Sequence, residues 1–106
     1  MERKFHHIGI PTDLVRAEEN YMADIKTFVS DPSACGANIE WLRFEADSPM
    51  PELLKKEAHI AYVVADVEAA MEGKECLMEP FDGGPGVRVG FIIEDGQPVE
   101  LMSISA

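Results

Sequence analysis

Apolar and polar positions alternate with period two from Phe5 to Ile10, the pattern of a β-strand with one face turned inward. Pro11-Thr12-Asp13 breaks that strand and offers a helix N-cap. Beyond it, Leu14, Ala17, Tyr21, Met22, Ile25, Phe28 and Val29 recur at three- and four-residue steps. Glu18, Glu19, Asp24 and Lys26 lie mainly off that stripe, so the spacing predicts an amphipathic helix over 14–29. A loop follows from Ser30 to Asn38, then a strand from Ile39 to Phe44 and a turn from Asp47 to Pro51. Pro51 to Lys56 reads as a single helical turn, and His59 to Val64 as a strand rich in β-formers. Asp66 caps a short helix that Gly73 ends. Cys76 to Met78 is a short strand, and Asp82-Gly83-Gly84-Pro85-Gly86 a flexible loop. Val87–Ile93 and Val99–Ile104 form a hairpin around Glu94-Asp95-Gly96-Gln97, whose Asp-Gly pair suits a tight turn.

The pattern repeats itself. His7-Ile8-Gly9-Ile10-Pro11-Thr12-Asp13 lines up with His59-Ile60-Ala61-Tyr62-Val63-Val64-Ala65-Asp66, each a histidine, a strand and an aspartate. Ile39-Glu40-Trp41-Leu42 echoes Val99-Glu100-Leu101-Met102. The 106 residues therefore read as one domain of two modules, about 4–46 and about 58–104.

Within a strand, alternate side chains face opposite ways. His7 shares a face with Gly9, and His59 with Ala61 and Val63. Glu40 and Glu100 each stand on a strand whose other positions are largely apolar, where an ionised carboxylate needs a partner or a metal. Two imidazoles and two carboxylates make a mixed nitrogen and oxygen donor set, suited to one divalent ion of zinc, nickel, cobalt, iron or manganese. Taken singly, His7 reads equally as a hydrogen-bonded histidine and Glu100 as an edge-strand acid. His6 faces with Ile8 and Ile10 and reads as structural. The repeated His-then-Glu order is what favours a site.

Charge narrows the partners. Nine basic and twenty acidic side chains give a formal net charge of −11, which argues against nucleic acid and anionic lipid. The longest apolar runs are strand-sized, too short for a membrane helix. The N-terminal sequence lacks the apolar core of a secretory signal, so a cytoplasmic location is expected. Cys35 and Cys76 form no Cys-x-x-Cys pair, which excludes a structural zinc knot and leaves them as buried or bystander thiols.

The same residues carry a family resemblance. His6-His7-Ile8-Gly9-Ile10, Ile39-Glu40-Trp41-Leu42-Arg43-Phe44, His59-Ile60-Ala61-Tyr62-Val63-Val64-Ala65-Asp66, Val87-Arg88-Val89-Gly90-Phe91 and Val99-Glu100-Leu101 occur in an order and spacing that resembles the vicinal oxygen chelate superfamily. That group includes glyoxalase I, extradiol dioxygenases and bleomycin-resistance proteins, and the chain looks most like its methylmalonyl-CoA epimerase branch. The resemblance implies an α+β fold of two βαβββ modules forming a curled, cup-shaped mixed sheet with helices outside. It implies His7, Glu40, His59 and Glu100 as metal ligands, with Glu40 or Glu100 taking a substrate proton. The first module looks truncated: two strands expected between its helix and Ile39 have no counterpart, and with them goes the glutamate that serves the epimerases as base.

Two functions follow as expectations. One is a divalent-metal-dependent isomerase, epimerase or lyase acting through an enolate on a small oxygenated carbonyl compound or organic acid. The other is a non-catalytic small-molecule binding protein of the bleomycin-resistance type, with Trp41, Phe44 and Phe91 lining its cup. A homodimer is expected in either case, because the shortened module leaves sheet edge unpaired.

Overall fold

The computed structural model describes residues 2–34 and 36–105. Cys35 lies outside the described residues, and Cys76 is an exposed free thiol whose pKa is raised, chiefly by desolvation. The chain divides into two compact units. One is His7–Ala58; the other is His59 onward together with the short run before His7. Strand β1, Lys4–Pro11, begins in the second of these and continues into the first.

In the unit His7–Ala58, β1 is followed by β2 (Asn20–Met22), β3 (Thr27–Val29), β4 (Ile39–Phe44) and the short helix α1 (Glu52–Lys56). The strand order is β2-β3-β4-β1, with β1 and β4 parallel and the other pairs antiparallel. The helix expected over 14–29 does not form, and the two strands expected to be missing are present as a hairpin of three-residue strands. The apolar stripe is satisfied across strands instead of along a helix. Tyr21 pairs with Phe28 in register, with ring centroids 4.7 Å apart. Leu14 and Val15, at the start of the expected helix, are exposed.

The second unit holds β5 (His59–Val63), α2 (Val67–Met71), β6 (Glu75–Gly84), β7 (Val87–Glu94) and β8 (Gln97–Ile104), the βαβββ order read from the sequence. Its strand order is β5-β8-β7-β6, with β5 and β8 parallel. The class is α+β, as expected. Asp66 caps α2 by accepting from the Ala69 N–H at 3.1 Å, and Gly73 takes the positive φ of +74° that follows the helix. Val67 joins Val64, Ile92, Val99 and Leu101 in a core against which Tyr62, Ala70 and Met71 pack. Gly90 lets the helix approach the sheet: a Cβ there would lie 2.4 Å from Met71 Sδ and 3.1 Å from Val67 Cγ1.

Strand β6 is longer than expected. It runs through Asp82, Gly83 and Gly84, which the sequence suggested as loop, and leaves the turn to Pro85 and Gly86. Its register against β7 shifts three times, so glycines and a proline are absorbed as irregularities at a sheet edge. The β7–β8 hairpin turns at Asp95 and Gly96, both at positive φ (52° and 78°), as a two-residue turn of the expected kind requires. No helix among the described residues is long and apolar enough to cross a membrane.

Candidate metal-ligand residues

Each unit builds one histidine–glutamate pair, and both use the same construction. In His7–Ala58, β1 and β4 run parallel with Gly9 opposite Glu40. In the other unit, β5 and β8 run parallel with Ala61 opposite Glu100. In both, the carboxylate stands beside the small residue two positions after the histidine. The repeat seen in the sequence is therefore a repeat of register.

The pairs differ in tightness. His59 Nε2 lies 2.9 Å from Glu100 Oε1, a hydrogen-bond distance between two side chains that are 2% and 10% exposed. His7 Nε2 lies 3.5 Å from Glu40 Oε1, with exposures of 4% and 23%. His7, His59 and Glu100 are buried donors of the kind that serve a metal ion. Glu40 is the most accessible of the four. His6, as expected, is half-buried on the opposite face of β1 from His7.

The surroundings of the two pairs are unlike. Phe91 is paired with Glu100 across β7 and β8, and its ring meets the His59 imidazole edge-on at 5.3 Å and 81°. Phe81 stacks on Phe91 with centroids 6.4 Å apart. In the other unit, Phe44 alternates onto the side of Glu40, whereas Trp41 takes the opposite side. Trp41 therefore does not line the face that carries Glu40, contrary to expectation. Its ring is covered by the Arg16 guanidinium at 4.1 Å. On that same side Arg43 lies 4.0 Å over Phe28 and is held by Glu19 through two hydrogen bonds of 2.8 and 2.7 Å. Arg43 holds the Glu19 carboxyl below its ordinary range.

Phe81 was not singled out from the sequence, and Phe91 only as a cup aromatic. The signal for Phe91 was present. A two-residue turn at Asp95-Gly96 sets Glu94 opposite Gln97, and counting back three positions sets Phe91 opposite Glu100. Phe81 had no such signal, because the shifts in β6 hide its register.

No family model and no curated protein matches the chain. Among solved structures, the crystal structure of a hypothetical protein from Bacillus halodurans C-125 is similar to it, with a TM-score of 0.73. The likeness covers 100% of this chain and 97% of that one at 18% identity. At that identity it is a likeness of fold alone.

Proposed function

We propose that His7, Glu40, His59 and Glu100 together hold one divalent transition-metal ion, and that the protein is an isomerase or lyase acting through an enolate. The observation that carries this reading is the duplicated register: a buried histidine, a small residue and a glutamate beside it, once in each unit. Burial fits the assignment, since a carboxylate and an imidazole withdrawn from water need partners of opposite or complementary charge. The donor types suit zinc, nickel, cobalt, iron or manganese, as does the resemblance to the vicinal oxygen chelate superfamily. Such an ion, when bound, polarises two neighbouring substrate oxygens and so acidifies the adjacent C–H.

The chain's own residues divide the remaining work. Glu100, buried and 2.9 Å from His59, is the fixed carboxylate. Glu40 is the more accessible and the more loosely paired, at 3.5 Å from His7. It is the carboxylate better able to take a proton from carbon and return it. Gly9 and Ala61 keep the neighbouring space clear. Of the two glutamates that the resemblance offers for the substrate proton, Glu40 is thus the one we assign.

The rival reading is a binding protein without catalysis, favoured by the rings of Phe81 and Phe91 beside His59. Solvent exchange separates the two. Metal-loaded protein in heavy water is expected to place deuterium on the carbon beside the carbonyl of at least one compound from a panel of 2-hydroxy and 2-oxo carbonyls. Glu40→Gln should lower that exchange about 100-fold, with metal content measured on the same sample to separate lost base from lost ion. Wild-type protein that labels nothing, yet binds a hydrophobic ligand tightly without metal, would establish the binding protein instead.

A further inference from the structure

On the sheet face that carries His59 and Glu100, the neighbouring side chains are apolar. Val89, Phe91 and Met102 are buried on β7 and β8. Phe81 and Met78 stand half-exposed on β6. Phe81 stacks on Phe91 at an interplanar angle of 14°, and Phe91 meets the His59 imidazole. A continuous run of rings thus leads from the imidazole to the accessible Phe81.

The cations are paired with acids, stacked on a ring, or exposed at element ends. Arg88 alternates onto the opposite face of β7 from Phe91 and is held by Glu68 at 2.6 Å and Asp82 at 3.4 Å. Arg3 and Lys74 are held by Glu94. In the unit His7–Ala58, Arg43, Lys26 and Lys55 are paired with Glu19, Asp47 and Glu52, and Arg16 is stacked on Trp41. Lys4 and Lys56 are exposed, at the start of β1 and the end of α1. Within the unit that begins at His59, a carboxylate or phosphate on a ligand would meet no guanidinium or ammonium on the face that carries His59 and Glu100, among the described residues. Glu40 and Glu100 would already balance both charges of a divalent ion, leaving no surplus to attract an anion.

We infer that the ligand is a neutral compound in which two vicinal oxygens, as in a hydroxyketone or diketone, are joined to an aromatic group, and that Phe81 selects it by stacking. The inference rests on the metal assignment above and narrows its substrate class from oxygenated carbonyls and organic acids to neutral carbonyls. An aromatic group laid on Phe81 gains apolar burial and ring–ring contact, whereas a ligand carboxylate would be desolvated without a cation.

Calorimetric titration of the metal-loaded protein with three probes tests this. 2-Hydroxyacetophenone has the ring and no charge, mandelate has the ring and a carboxylate, and hydroxyacetone lacks the ring. The first should bind about tenfold tighter than either of the others. Phe81→Ala should lose about tenfold for 2-hydroxyacetophenone and nothing for hydroxyacetone, with Phe81→Leu between wild type and alanine. Metal content is measured separately on each sample. If the metal is bound and mandelate binds as tightly as 2-hydroxyacetophenone, or if both Phe81 variants bind like wild type, the inference fails while the metal assignment stands. If no metal is bound yet 2-hydroxyacetophenone binding depends on Phe81, the metal assignment fails and ring selection stands.

Discussion

Glu94 illustrates how single residues tune this molecule outside the candidate site. Its carboxylate accepts two hydrogen bonds from Arg3, at 2.8 and 2.7 Å, and Lys74 Nζ approaches to 3.5 Å. The Arg3 hydrogen bond is the largest cause that lowers its pKa from 4.5 to about 2. The ionised form is therefore favoured in the folded state, so between these two values the unfolded chain binds more protons than the folded one. The contribution is fully present above pH 4.5 and is lost as pH falls toward about 2. Arg3→Met should flatten the fall of stability with pH across that window, as read from urea denaturation at a series of pH values. An unchanged acid limb would show that Arg3 does not hold Glu94 in solution. At this scale the sequence was informative where residues came in duplicate. His7, Glu40, His59 and Glu100 stood out because the same order occurs twice, and Gly9 and Ala61 because small size beside a histidine leaves room. Arg3 and Glu94, 91 positions apart, carried no such pattern.

Among the elements, the segment before β3 shows why an apolar stripe at helical spacing does not by itself specify a helix. Tyr21, Met22, Phe28 and Val29 fit three- and four-residue steps, but they also fit two three-residue strands. What decides is non-local: Phe28 finds Tyr21 across the hairpin and Arg43 above its ring, and Glu19 fixes Arg43. None of those pairings is visible in a local window. Phe28→Ala removes both ring contacts and should destabilise the protein by about 1–2 kcal/mol in denaturant unfolding. Far-UV circular dichroism should hardly change, because no helix is lost. A marked fall in helical signal in that variant would restore the helix that the spacing suggested. Strand β1 was legible from its local alternation, and β4, β5 and β8 as short runs of β-forming residues bounded by turns. Strand β6 was not, since Asp82-Gly83-Gly84 reads as loop and the three register shifts that admit it depend on β7.

For the molecule as a whole, the duplicated register is the feature on which the functional reading turns. Each unit supplies one nitrogen and one oxygen donor through a parallel strand pair, with Gly9 and Ala61 in equivalent places. The acidic balance, −11 overall, is consistent with a protein that attracts cations. If both pairs serve the same ion, neither unit alone is sufficient, and loss of either histidine should abolish tight binding. Elemental analysis of protein purified without a histidine tag measures this directly. About one divalent transition-metal ion per chain is expected, falling close to zero in His7→Ala and in His59→Ala, with both variants still folded by circular dichroism. Metal content that is unchanged in either variant, or that reaches two ions per chain in the wild type, would contradict a single ion shared by the four residues.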